Sequence, residues 1–180
     1  SRFLMAFLRV PQKFYFQKHY TRRALALTFK LPILGSRRFL ERFVDPLHPL
    51  GVVYDGGRPE VFVDDRSEAS ALAKAGITEE GPARIGLIPS AQWEGKRWAP
   101  EKFAELAQKL VAETPYQLIL FGGPEDSFCQ QIANGLPSHR LVNTQGKLSI
   151  LESSALLRHC SLVVANDTGL MHVADALGIP

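Results

Sequence analysis

The sequence predicts an α/β protein whose main domain is a parallel sheet flanked by helices. Three observations carry that expectation. Beyond about Gly81, apolar runs of strand length alternate with segments of helical period, joined by loops of a few residues, which is the pattern of repeated βαβ units. Helix start and stop residues (Pro100, Ser149 with Glu152, Gly178) fall where the periodicity changes. Finally, 180 residues that are 46% hydrophobic and 22% charged make an ordinary globular chain. That length can bury a real core and is too short for a barrel of about 250 residues. Disordered, collagen-like and disulfide-dense classes are excluded.

Residues 13–31 interleave Phe14, Tyr15, Phe16, Tyr20, Leu25, Leu27 and Phe29 with Lys18, Arg22, Arg23 and Lys30, and predict one or two loosely amphipathic helices. Pro32 and Gly35 punctuate them. Phe39, Leu40, Phe43 and Val44 predict a second short helix ending near Pro46 and Pro49. A turn-rich stretch over 51–59 leads to at most a short strand at Val61, Phe62 and Val63, then to a helix over 67–75 stopped by Gly76. Gly81 and Pro82 mark a boundary, dividing the chain into 1–81 and 82–180.

In the second part, residues 85–88 predict the first strand. Its helix follows Pro100, a residue suited to the first helical position, with Phe103, Leu106, Ala107, Leu110 and Val111 at helical spacing. Residues 116–121 predict the second strand, followed by Gly122, Gly123, Pro124 and a helix through about Asn134. Residues 140–142 form a weaker third strand. Ser149 and Glu152 have capping-box spacing and open a helix containing Leu151, Ala155 and Leu156. The fourth strand, 161–165, is continuously apolar (Leu162, Val163, Val164, Ala165), as a central parallel strand would be. A helix over about 168–177 follows, stopped by Gly178. Ile179 and Pro180 stand where another strand is expected to begin, so the second domain is expected to be truncated.

The net charge of +3 conceals a strong asymmetry. Residues 1–50 carry ten Lys or Arg against Glu41 and Asp45, a local balance of +8 that leaves −5 on the rest. Such segregation suggests either a basic face open to an acidic lipid, a phosphorylated glycan or nucleic acid, or simply a solvated helical surface. Cys129 and Cys160 form no CxxC pair and have no His at zinc-ligand spacing, which fits a reducing compartment. No apolar run approaches a membrane span, and the run over 3–8 lacks a following cleavage site, so neither a span nor a signal peptide is expected.

In an open parallel sheet, ligands bind beyond the carboxyl ends of the strands, so the loops there are the places to look for function. The loop after the fourth strand reads Asn166, Asp167, Thr168, Gly169, Leu170, Met171, His172. It opens a helix whose first N–H groups and dipole favour an anion, and Gly169 allows close approach of a phosphate. Thr168 adds a hydroxyl, and His172 lies one helical turn further on. Asp167 suits a helix cap, a sugar hydroxyl or the orientation of a cation; the plain alternative is an Asp cap beside a core histidine. In the loop after the first strand, Lys96 and Arg97 stand before a helix start, where they suit a diphosphate, with Ser90 and Gln92 as neutral donors. The alternative there is that the cations are solvated, and Trp98 is expected to pack in the core. After the second strand, Glu125 and Asp126 either complement a helix dipole in its first turn or accept the hydroxyls of a ribose.

No GxGxxG follows a strand, and GxxxxGK[ST], GxSxG, HExxH and a D-x-D metal pair are all absent. Hydride transfer, P-loop ATP hydrolysis and serine hydrolysis are therefore poorly supported, and no metal site or cofactor is expected. The ordered set P-S-A-Q-W-E-G-K-R-W-A-P, F-G-G-P-E-D, N-T-Q-G-K-L-S and N-D-T-G-L-M-H-V-A-D-A-L-G-I-P, spread over residues 86–180, resembles glycosyltransferase family 9, the ADP-heptose:lipopolysaccharide heptosyltransferases.

The resemblance implies a GT-B fold, with two Rossmann-like domains and the sugar nucleotide held mainly by the C-terminal one. On that basis 1–81 would be the end of the N-terminal, acceptor-side domain and a linker, and 82–180 a truncated nucleotide-sugar-binding domain. Lys96 matches the family's lysine near the donor phosphates. Asp167, Thr168, Gly169 and His172 match its D-T-G-x-x-H contact to diphosphate and sugar, and Asp126, or else Glu125, its ribose-binding acid. Ser90 and Gln92 fall in the loop near the diphosphate. The family's proposed base is an aspartate near the start of its N-terminal domain, in sequence that these 180 residues do not contain. The chain alone is therefore expected to be inactive, with Lys96 stabilising the leaving group.

The implied reaction is inverting, metal-independent transfer of heptose from ADP-heptose to a lipopolysaccharide core or lipid A precursor. It would take place in the cytoplasm, with peripheral contact between the basic segment and the inner membrane. The rivals are another nucleotide-sugar transferase or an epimerase of GT-B fold, and a noncatalytic, truncated binding module. Nucleic acid is not expected as a partner, because the basic residues lie outside the regular α/β segment and no aromatic RNA-binding motif accompanies them.

Overall fold

The computed structural model describes residues 12, 14, 20–30 and 39–180, and only the backbone of 22, 23, 39 and 40. Pro32, Gly35 and most of the helical expectation over 13–19 lie outside the described residues. The chain divides into two compact units, one up to Gly57 and the other from Arg58 to Pro180.

In the first unit, α1 (Tyr20–Thr28) buries Ala26 and exposes Leu25 and Leu27, with Phe29 exposed just beyond its end. Helix α2 (Phe39–Val44) runs into a 3-10 helix, Asp45–Leu50. The α-helix thus ends just before Pro46 and the helical stretch just after Pro49, as expected; Pro46 sits in the first turn of the 3-10 helix, whose N–H groups lack partners in any case. Gly51, with φ of 79°, closes it.

The second unit opens with extended backbone. Val61, Phe62 and Val63 pair with nothing and form no strand. Helix α3 (Asp65–Ala75) is capped by Asp64, whose side chain accepts the Ser67 N–H, and by Gly76 at φ 66°. Then come β1 (Arg84–Ile88), a 3-10 turn (Glu94–Lys96), α4 (Pro100–Glu113), β2 (Gln117–Leu120), α5 (Phe128–Ala133) and β3 (Leu141–Asn143). Helix α6 (Ile150–Leu157), β4 (Leu162–Ala165) and α7 (Gly169–Ala176) complete it. The capping box is formed: Ser149 accepts the Glu152 N–H, and the Glu152 carboxylate accepts the Ser149 N–H.

All strand pairs are parallel, in the order β3-β2-β1-β4, with Gly86 opposite both Ile119 and Val163. Side chains alternate across the sheet. Ile88, Ile119 and Phe121 pack with Ala71, residues of α6 and Ala174 on one face; Ile85, Leu87, Leu118 and Leu120 pack with Phe103, Ala107 and Ile132 on the other. Gly86 makes room for this packing, because a Cβ there would lie 3.2 Å from Val163 and 3.3 Å from the Phe121 ring.

Among the described strands, β1 rather than β4 has a neighbour on both sides. The fully buried strand is β1, while β4 lies at the end of the strand order with Leu162 exposed. On its far side Val163 donates to the Pro180 carbonyl.

Helix α3 belongs with the second unit although it precedes Gly81. Glu68 accepts from Arg158 (3.0 Å) and lies 2.8 Å from His159, at the end of α6. Glu152 accepts from Ser70 and Lys74, both at 2.6 Å. Those bonds, with its capping role, hold the Glu152 carboxyl down at about 2; the Lys74 contact is the largest cause.

Candidate functional site

Strand order reverses at β1: the chain passes from β1 to β2 on one side, and β4 returns on the other. The loop after β1 leads to α4 on one face and the loop after β4 to α7 on the opposite face. The two loops part at the carboxyl end of neighbouring strands, where open α/β sheets bind ligands.

One buried side chain ties these loops together. Asn166, 7% exposed, donates from Nδ2 to the Pro89 carbonyl at 2.7 Å and accepts the Trp98 N–H on Oδ1 at 3.1 Å. Its own N–H continues the ladder to the Ile88 carbonyl. Across this brace Lys96 Nζ reaches Asp167 Oδ2 at 2.5 Å, and both side chains are about half exposed. The Asp167 carboxyl is held below its usual range by the Lys96 hydrogen bond and charge, with a smaller contribution from the charge of His172.

Asp167 therefore does not cap α7. Thr168 occupies the N-cap position in extended conformation, and its hydroxyl makes no capping bond. Among the described residues, no acceptor takes the N–H groups of Gly169, Leu170 or Met171, and a Cβ at Gly169 would meet only open space. The helix end thus presents unpartnered donors beside a paired lysine, an arrangement that receives an anion. His172 is exposed on the first turn of α7 and is not a core histidine.

The second group lies between the loops after β1 and β2. Asp126 Oδ2 accepts the Ser90 hydroxyl at 2.5 Å and the Gly123 N–H at 2.7 Å. Because Asp126 folds back in this way, α5 begins only at Phe128, and neither Glu125 nor Asp126 sits in its first turn as expected. The loop is close-packed: a Cβ at Gly122 would come within 2.6 Å of Cys129 Sγ. Burial, and then the Asp126 charge, push that thiol up to about 12. Gly146, at φ 68°, donates to the Gly122 carbonyl at 2.9 Å, so the N-T-Q-G segment stitches the loop after β3 to this one.

The structure thus gathers Lys96, Asp167, Thr168, Gly169 and His172 at the β1 and β4 loops, and Ser90 with Asp126 at the β1 and β2 loops. Gln92 is exposed, and its side chain has no hydrogen-bond partner among the described residues. Arg97 is exposed but anchored: its Nε donates to the Ala91 carbonyl at 2.7 Å, and its guanidinium lies 5.5 Å from the Phe128 ring centre. Trp98 is not core; it is 46% exposed, meeting Phe103 edge-on at 5.1 Å. Sequence reasoning missed the bracing role of Asn166. The available signal was a buried-strand end followed by an amide, with the capping position already filled by Thr168.

These loops carry the four motifs, and comparison with known proteins agrees with them. The profile of Glycosyltransferase family 9 (heptosyltransferase) matches residues 1–180. Lipooligosaccharide heptosyltransferase 2 of Haemophilus influenzae is 33% identical over 132 residues, which are 68% of this chain and 38% of that protein. The structure of Escherichia coli ADP-heptose LPS heptosyltransferase II superposes with a TM-score of 0.59 at 31% identity, covering 68% of this chain and 38% of that one. A glycosyl transferase family 9 structure from Veillonella parvula, 24% identical, shares the fold, with a TM-score of 0.69 over 82% of this chain and 43% of that one. The chain therefore spans about two fifths of the length of these relatives. The GT-B type α/β fold stands on these likenesses and on the observed parallel sheet. With the family profile matched along its whole length, the chain belongs to glycosyltransferase family 9.

Proposed function

We propose that this chain carries the donor-binding side of a heptosyltransferase that moves heptose from ADP-heptose to a lipopolysaccharide inner-core or lipid A precursor acceptor. The single observation that carries the reading is the Lys96–Asp167 pair beside the uncapped end of α7. Lys96 and the free N–H groups of α7 take the diphosphate, with the Thr168 hydroxyl and the open backbone at Gly169 alongside. Asp167 and His172 face the sugar, Asp126 the ribose, and Ser90 and Gln92 line the loop near the phosphates. In this reading 82–180 is the nucleotide-sugar side and 1–81 the acceptor side and linker.

The reaction is a direct displacement with inversion. An acceptor hydroxyl loses its proton to a base outside these residues, its oxygen bonds to the anomeric carbon, and the bond to the β-phosphate oxygen breaks, releasing ADP. Negative charge grows on that phosphate in the transition state, where Lys96 and the α7 dipole stabilise it without a metal ion.

Among the described residues, no helix is long and apolar enough to cross a membrane. The exposed Leu25, Leu27 and Phe29, in a segment rich in Lys and Arg, support peripheral contact with an anionic inner-membrane surface from the cytoplasmic side. Binding to anionic vesicles that does not weaken as salt rises would count against that contact.

The test of the donor site is calorimetric titration of the chain with ADP, UDP and GDP, beside an Asp167→Ala, His172→Ala double variant. ADP-selective binding lost in the variant is expected. Equal binding of all three nucleotides, or binding untouched in the double variant, would refute the assignment.

A further inference from the structure

Resting on the donor-site reading above, we infer that Asp167 sets the preference of the site for the sugar-bearing donor over free ADP, by placing a fixed negative charge where the product's terminal phosphate would lie. The geometry creates a conflict that the sugar ester relieves. Lys96 Nζ is already engaged by Asp167 Oδ2 at 2.5 Å, so a diphosphate approaching the α7 N–H groups meets a lysine shared with a carboxylate. That carboxylate is half exposed, makes no capping bond to α7, and has no other hydrogen-bond partner among the described residues. Its ionised form is favoured by Lys96 and by His172.

The two ligands differ in charge at this point. In an ADP-sugar the β-phosphate is a diester-like group with one charge. In free ADP it has a second ionisation with a pKa of about 6, so near neutral pH it carries close to one charge more. Repulsion by Asp167 therefore acts more strongly on the product than on the donor. The donor has a compensating gain that ADP lacks, because its sugar hydroxyls can donate to the Asp167 carboxylate. A site of α7 and Lys96 alone would favour the more highly charged product and release it slowly. Asp167 corrects this at the cost of weaker overall anion binding.

The experiment compares ADP and ADP-heptose binding by calorimetry in the wild-type chain, Asp167→Asn and Lys96→Ala. Thermal melts confirm that the substitutions at these exposed positions leave the fold intact. Asp167→Asn is expected to tighten ADP about threefold, the effect of one charge about 6 Å away in a largely aqueous medium. It should tighten ADP-heptose by less, or weaken it. The gain for ADP should shrink below about pH 6, where the second charge is lost. Lys96→Ala should weaken both ligands. ADP binding that Asp167→Asn weakens or leaves unchanged would overturn the inference while leaving the donor site in place. Failure of the wild-type chain to bind either ligand would overturn the donor-site reading and the inference with it.

Discussion

Replacing Asn166 with alanine should destabilise the second unit more than any exposed site substitution. The change deletes the bond from Nδ2 to the Pro89 carbonyl and the acceptor of the Trp98 N–H. Pro89 is fully buried, so its carbonyl loses its partner where water does not reach, a penalty of about 1–3 kcal/mol. The Trp98 N–H is only partly buried and can turn to solvent, which limits that loss to about 0.5–1.5 kcal/mol. Together these give about 1.5–4.5 kcal/mol, a large share of the about 5–15 kcal/mol that holds a domain folded. For the residues from Arg58 to Pro180, each kcal/mol lowers Tm by about 4 °C, so the expected fall is about 6–18 °C. Thermal and urea unfolding followed by circular dichroism measure it. Asn166→Asp is the sharper control: it keeps the shape and the acceptor but sets a carboxylate oxygen against the Pro89 carbonyl, and should be at least as costly as alanine. An alanine variant within about 0.5 kcal/mol of wild type, the range of ordinary surface changes, would refute the bracing role.

Four further outcomes are expected. The Glu152 carboxyl sits at about 2 in the folded chain against an ordinary 4.5, so its stabilisation is complete above pH 4.5 and is lost as pH falls towards 2; Glu152→Gln should flatten the acid limb of a stability-against-pH curve over that window, and an unchanged limb would contradict the Lys74 and Ser70 contacts. Gly86→Ala should cost about 1–3 kcal/mol in urea unfolding, because the new methyl presses on Val163 and Phe121. Lys96→Ala should weaken ADP at least about tenfold, whereas Lys102→Ala, which removes an exposed pair with Glu105, should not; equal effects would deny Lys96 its phosphate role. The 180-residue chain alone should transfer no glycosyl group, and measurable turnover would place the base within these residues.

The sheet was legible because each strand was either a continuous apolar run or followed a turn, and because α3, α4 and α6 announce an end with Gly76, Pro100 and Ser149; the Asp64 cap of α3 was not read. Strand order was not: the apolarity of Leu162 to Ala165 does not say that β4 pairs with β1, or that β1 lies between β2 and β4. The start of α7 at Thr168 was also readable, since threonine and glycine are common at helix starts. The partners of the loop residues were not. Asp126 turning to Ser90 rather than to α5, Arg97 committed to Ala91 and Phe128, and Asn166 spanning two loops all depend on separations of 6 to 77 residues that no local pattern encodes. Trp98 looked like core by its apolar bulk; its edge-on meeting with Phe103 leaves the other side of the indole in water.

That last feature gives the protein an optical property. The sequence contains two tryptophans, and both Trp93 and Trp98 belong to the short segment that carries Lys96. Trp93 is 64% exposed, and its carbonyl accepts the Lys96 N–H. The tryptophan emission of the chain is thus the emission of this one loop. Stopped-flow mixing of unlabelled chain with a nucleotide would follow the loop in real time, separating its arrival rate from any slower rearrangement that a calorimeter averages away.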